Sequence, residues 1–165
     1  MTLTVADVDA LAERAHAGQL DKTGVPYIKH VRAVGNALAP FGPHAQMAGL
    51  LHDVLEDSDW TAEGLRAAGV PEVVVDTVVA VSNVAGVSYE EMIRSIAGKP
   101  RATLVKIADN AHNSLPERLA ELARPDRERV AAKYRAARRV LWPAAPSVDI
   151  AVIVGRVNPA LLSEL

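Results

Sequence analysis

The chain has 165 residues, half of them apolar and 23% charged, which is the usage of an ordinary globular domain with one core and not of a disordered or fibrous chain. Eighteen Lys and Arg against twenty Asp and Glu leave a net charge of −2, and aromatics make up only 4%, so no nucleic-acid partner is expected, duplex or single-stranded. Cysteine is absent, which excludes thiolate nucleophiles, thiolate zinc sites and iron–sulfur clusters; with early acidic residues and no long apolar run, the expectation is a cytoplasmic protein without signal peptide or membrane span.

Thr4 with Asp7 three residues later caps an amphipathic helix predicted over about 5–19. Residues 19–24 read as a loop, and Pro26 suits the first turn of a second helix with the stripe Tyr27, Val31, Val34 and Leu38, stopped by Pro40, Gly42 and Pro43. A third helix is predicted over about 44–57, a short fourth over 63–67 behind Thr61, and a fifth over about 71–81 whose valines also fit a strand. Ser88 with Glu91 caps a short helix to Ala97, and further helices are predicted at about 101–113, 115–122, 126–142 and 147–155, the last sharing the strand ambiguity. The expected fold class is all-α, one domain over 1–165.

On a wheel at 100° per residue, the third helix puts Met47, Ala48, Leu50, Leu51, Val54 and Leu55 on one face and His52, Asp53, Glu56 and Asp57 on the other. A solvated acidic face is the ordinary meaning of such a run. Against it, no Lys or Arg shares that face, and Ala45 and Gly49 one turn earlier leave room for an ion or ligand; carboxylates this close are held by a cation or a proton. Lys106, Asp109 and Asn113 share one face of a later helix, either as a metal and phosphate position or as a surface Asp–Lys pair. His30 borders the buried stripe of the second helix and points inward. His16 reads as structural, His44 as exposed, and His112 as a packing or supporting residue. Two neutral imidazoles with two carboxylates form a mixed N/O site suited to manganese, iron or, less ideally, magnesium.

His30, the pair His52-Asp53 and the later Asp109 resemble the H…HD…D ligand pattern of HD-domain metal-dependent phosphohydrolases. The runs Ala15-His16-Ala17-Gly18-Gln19, Gly24-x-Pro26-Tyr27-Ile28-x-His30, Leu50-Leu51-His52-Asp53-x-x-Glu56-Asp57 and Val105-Lys106-Ile107-Ala108-Asp109-x-x-His112-Asn113 are similar to the hydrolase domain of Rel/Spo-type enzymes and small alarmone hydrolases. The resemblance spans about residues 5–142 and leaves 143–165 as a C-terminal tail helix. It implies a single HD-domain helical bundle with Mn²⁺, or alternatively Fe²⁺ or Mg²⁺, held by His30, His52, Asp53 and Asp109, and with Glu56 and Asp57 as a catalytic acidic pair. It implies further a nucleotide substrate touched by Lys22, Asn113 and Tyr134, and removal of the 3′-pyrophosphate from guanosine 3′,5′-bis(diphosphate)-type alarmones.

Two other readings keep the same residues: a metal-dependent phosphatase on another nucleotide, and a non-catalytic regulatory module, which has no need of both Glu56 and Asp57. The chain departs from the family pattern at Asp21, where many members carry Arg before the loop lysine, and at Ser114-Leu115-Pro116. A carboxylate beside Lys22 is expected to pair with it and repel polyphosphate, so Asp21→Arg should lower KM for guanosine tetraphosphate roughly tenfold.

Overall fold

The computed structural model describes residues 1–165 and contains eleven α-helices with no strand. In chain order these are α1 (Val5–Ala15), α2 (Ile28–Leu38), α3 (Pro43–Leu51), α4 (Val54–Asp57), α5 (Ala62–Ala67), α6 (Glu72–Val81), α7 (Tyr89–Ile96), α8 (Pro100–Asn113), α9 (Pro116–Ala120), α10 (Arg124–Leu141) and α11 (Ser147–Val157), with short 3₁₀ turns after α2, α10 and α11. The all-α expectation holds, and both valine-rich stretches are helical. In α6, Val74, Val75, Val78 and Val81 are all buried, the i, i+1, i+4, i+7 spacing of a helix pressed on a core and not of a strand.

Both expected capping boxes form: Thr4 and Asp7 exchange bonds at the start of α1, and Ser88 and Glu91 at the start of α7. The first helix stops at Ala15, four residues before its predicted end: His16 leaves helical geometry at φ −100° and ψ 13°, and two residues on Gly18, at φ +76°, turns the chain away.

Helix α8 is the axis of the bundle. It packs against α2, α3, α6, α7, α10 and α11, and nine of its fourteen residues are buried, including Lys106, Asp109 and Asn110. The predicted polar face of this helix therefore lies inside the molecule. Residues 143–165 are no loose appendage: Ile150, Ile153 and Val154 are fully buried, Asn158 Nδ2 donates to the Ala111 carbonyl at 3.1 Å, and Glu164 receives a two-pronged Arg138 guanidinium at 2.7 and 2.9 Å.

Gly49 does not leave room for an ion, as its position on the wheel suggested. A Cβ there would lie 2.9 Å from the Gly35 Cα and 2.9 Å from Leu38 Cδ1, so Gly49 and Gly35 let α2 and α3 touch backbone to backbone. Ala45 is likewise buried in the core. Gly49→Ala should accordingly lower stability by about 1–3 kcal/mol, overpacking outweighing the better helix propensity of Ala, and a denaturant melt with unchanged slope would register it.

Candidate metal centre and the adjoining pocket

The predicted continuous helix over 44–57 breaks at His52-Asp53, and the break builds the centre. The Gly49 carbonyl, which a continuing helix would use for the Asp53 N–H, accepts a 2.7 Å bond from His52 Nδ1, and α4 begins only at Val54. His52 is thereby carried from the solvent face of the wheel into the interior, fully buried, while Glu56 and Asp57 remain exposed one turn later. The four acidic and imidazole groups do not share one face.

Helices α2 and α8 bring the remaining donors to the same point. His30 Nε2 lies 3.2 Å from His52 Nε2, 3.2 Å from Asp109 Oδ1 and 3.5 Å from Asp53 Oδ2; His52 Nε2 lies 3.0 Å from Asp53 Oδ2 and 3.4 Å from Asp109 Oδ1. Neighbouring ligands of an octahedral ion with bonds of about 2.1 Å stand about 3 Å apart, so His30, His52 and Asp109, whose donor atoms all lie within 4.8 Å of one another, fit a divalent cation, with Asp53 beside both imidazoles. The ring orientations agree. The bond to Gly49 leaves His52 Nε2 free of a proton in the neutral ring, and His30 Nδ1 meets His112 Nδ1 at 2.8 Å, so that when His30 donates there its Nε2 is equally bare. Burial above all, with the Arg118 charge adding to it, pushes His112 down to about 3, which keeps it a neutral acceptor.

Outer partners fix the carboxylates. Tyr27, expected only as core stripe, donates its hydroxyl to Asp53 Oδ2 at 2.6 Å; burial and the Asp53 charge raise its pKa, so it stays a donor. Asp109 accepts from Lys106 Nζ at 3.0 Å and from Asn113 Nδ2 at 2.7 Å. The Lys106–Asp109 pair is buried and not a surface pair. With one lysine against two buried carboxylates, the centre holds an uncompensated negative charge when both imidazoles are neutral, which a cation or a proton must answer.

Without an ion the proton goes to His52. Burial opposes its charge, but Asp53 and Asp109 outweigh burial and push it up to about 10. Between about pH 3 and 6.5 the unfolded chain binds the extra proton at His112, so stability rises with pH. Between 6.5 and about 10 the folded chain binds the extra proton at His52, so stability present below 6.5 is lost as pH climbs through 10. The melting temperature of the chelator-treated protein should therefore peak near neutrality and decline towards pH 10, and Mn²⁺ should flatten that decline; with a 33-residue apolar core the helical signal should persist in chelator.

Glu56 and Asp57 share no hydrogen bond with the four donors. Glu56 accepts from the Asn83 backbone N–H at 2.8 Å and from Asn83 Nδ2 at 3.0 Å. Asp57 accepts from Gln19 Nε2 at 3.2 Å, and Gln19 Oε1 sits 2.8 Å from Nδ1 of buried His16, which is thus structural as read. His44 is exposed, also as read.

Beside the centre opens a cavity of about 350 Å³ whose walls include Lys22, Tyr27, Asn113 and Tyr134. Tyr27 and Asn113 belong to both, so cavity and centre abut. Asp21 does not pair with Lys22. Its Oδ1 accepts from Thr23 N (2.8 Å), Thr23 Oγ1 (2.6 Å) and Val25 N (3.0 Å), and its Oδ2 takes the Arg118 guanidinium at 2.9 Å. Burial opposes ionisation, yet these partners hold the Asp21 carboxyl below its ordinary range. Asp21 thus organises the loop, and the expected gain from Asp21→Arg reverses: the variant should raise KM and cost about 2 kcal/mol or more, because three loop donors and Arg118 lose their acceptor. Parallel melts and steady-state assays check both signs.

The family model described as HD domain matches residues 9–154. The chain belongs to the HD-domain family. This HD domain is 36% identical over 137 residues to a probable GTP pyrophosphokinase of Mycobacterium leprae, covering 73% of this chain and 17% of that protein. It is 37% identical over 136 residues to a guanosine-3′,5′-bis(diphosphate) 3′-pyrophosphohydrolase of Haemophilus influenzae, covering 74% of this chain and 20% of that one. The chain thus spans about a fifth or less of the length of these relatives. Among solved structures, a metazoan ortholog of SpoT that hydrolyzes ppGpp shares the fold at a TM-score of 0.77 and 22% identity, over 99% of this chain and 97% of that one. No helix of the HD domain is long and apolar enough to cross a membrane.

Sequence reasoning missed Gln19, Tyr27 as a polar partner, Asn83 and Arg118. Tyr27 carried a usable signal, since it lies one helical turn before His30 and so reaches the same place. Arg118 carried none; its partner Asp21 is 97 residues away in sequence.

Proposed function

We propose that this HD domain removes the 3′-pyrophosphate from guanosine 3′,5′-bis(diphosphate)-type alarmones, with Mn²⁺ held by His30, His52, Asp53 and Asp109. The observation that carries the reading is the sharing of Tyr27 and Asn113 between the four-donor centre and a cavity of nucleotide-binding size. The Haemophilus influenzae relative adds the substrate class. When bound, the ion supplies positive charge against a phosphoryl oxygen and acidifies water.

The chain's own groups do the rest. Asn83 clamps both oxygens of Glu56 on the turn after the His-Asp pair, which fixes the carboxylate to accept the proton of an attacking water. Asp57, oriented by Gln19, assists or carries a proton to the leaving oxygen. Lys22 makes no ion pair and is exposed at the cavity, so its full charge is available to the polyphosphate, with Asn113 and Tyr134 beside the nucleoside.

The test is product identification. Purified protein with Mn²⁺ and a panel of guanosine tetraphosphate, guanosine pentaphosphate and nucleotide 2′- and 3′-phosphates should release pyrophosphate from the first two and leave the monoesters intact. Release of orthophosphate from the monoesters, with guanosine tetraphosphate untouched, would replace the reading by a nucleotide phosphatase.

A further inference from the structure

We infer that Arg118 is the base-reading residue of the cavity: its guanidinium serves as a neutralised flat wall for a purine, while Lys22 takes the phosphates. The inference rests on the proposed nucleotide reading of this cavity and adds the residue that distinguishes nucleotide from bare polyphosphate.

Arg118 lies in the short helix α9 and lines the cavity with its side chain 18% exposed. Both of its terminal nitrogens are engaged by protein. Nη1 gives to Asp21 Oδ2 at 2.9 Å, and Nη2 gives to Asn113 Oδ1 at 3.2 Å. The Asp21 carboxylate, only 7% exposed, also cancels its charge. A guanidinium tied down this way is a poorer phosphate clamp, since any bidentate phosphate contact uses at least one of the terminal nitrogens already engaged by Asp21 and Asn113. What such a group offers a ligand is its planar face, on which aromatic rings stack.

The rest of the wall agrees with an uncharged ring. Leu119 and Leu122 follow Arg118 in the chain, and Val130 of α10 and Leu20 of the opposite loop complete an apolar lining in the same cavity. Lys22 is the cavity-lining cation with no carboxylate partner. Charge and apolar surface are thus divided between residues. Asn113 links the two functions, because the amide that accepts from Arg118 donates to Asp109 of the metal centre at 2.7 Å. A base seated on Arg118 is thereby one side chain removed from the centre.

Two probes that differ only in the base separate this from every phosphate-binding role: guanosine 5′-monophosphate and ribose 5-phosphate, titrated calorimetrically into the Mn²⁺-loaded protein. The wild type should bind the nucleotide about tenfold or more tighter than the sugar phosphate. Arg118→Met, which keeps the length of the side chain but not its plane, should bring the two within about twofold of each other while ribose 5-phosphate affinity changes by less than twofold. Leu122→Ala, which leaves the Asp21 pair untouched, should weaken the nucleotide alone by about threefold, and so guards against a loop that fails to fold in the first variant. Equal weakening of both probes in Arg118→Met, with Leu122→Ala silent, would make Arg118 a phosphate clamp or loop strut and overturn the inference, as would a wild type that does not distinguish the probes. A domain that distinguishes them as described but releases no pyrophosphate from guanosine tetraphosphate would leave the base site standing and refute the hydrolase reading instead.

Discussion

Asp53→Ala should reduce bound manganese from about one ion per chain to below a tenth and lower turnover by roughly 10³-fold, since a bound ion contributes several kcal/mol to stabilising charge on the transferred phosphoryl group. The carboxylate contributes Oδ2, 3.0 Å from His52 Nε2 and 3.5 Å from His30 Nε2. The same substitution orphans the Tyr27 hydroxyl, which costs about 1–3 kcal/mol of stability. It also removes one of the two carboxylates that hold a proton on His52. The ion-free variant should therefore show a smaller decline in melting temperature between pH 6.5 and 10 than the ion-free wild type. Metal analysis after gel filtration, a turnover assay and melts across that range read these four effects. Stoichiometric manganese in the variant would remove Asp53 from the ligand set.

Glu56→Gln should separate chemistry from metal binding. The side chain is exposed and its partner is Asn83 alone, so the amide should keep the ion and cost less than about 1 kcal/mol. An amide cannot accept the proton of an attacking water, and kcat should fall by roughly 10²-fold or more with KM little changed. Asn83→Ala is the companion measurement. It leaves the carboxylate and its bond from the residue-83 backbone N–H in place but removes the Nδ2 bond, so a smaller fall in kcat, of roughly tenfold, should accompany it. Unchanged kcat in Glu56→Gln would exclude Glu56 as the base.

The all-α class and most helix positions could be read from capping pairs, prolines and apolar spacing, because those signals are local. His30, His52, Asp53 and Asp109 were legible as a spaced pattern, and they come together because α2 and α8 carry His30 and Asp109 to the break between α3 and α4 that holds His52 and Asp53. Fixed-period reasoning failed where a side chain competes with the backbone. His52 takes the Gly49 carbonyl, the helix breaks, and the wheel that put His52 beside Glu56 and Asp57 no longer applies. It failed again at Gly49, whose role is set by Gly35 on another helix, and at Asp21, whose partner Arg118 arrives from α9. A one-helix view of α8 made Lys106 and Asp109 a polar face, whereas six helices enclose them. The stretch 143–165 carries no motif, yet its isoleucines and Glu164 close the back of the bundle through packing and the Arg138 pair.

In the proposed reading, four side chains from three parts of the chain hold one divalent ion beside a nucleotide cavity. Diffraction from crystals grown with Mn²⁺ and collected at the manganese absorption edge tests it most directly. A single anomalous peak is expected, about 2.2 Å from His30 Nε2, His52 Nε2 and an oxygen of each of Asp53 and Asp109. A peak at Glu56 and Asp57 instead, or none at full occupancy of added manganese, would contradict it.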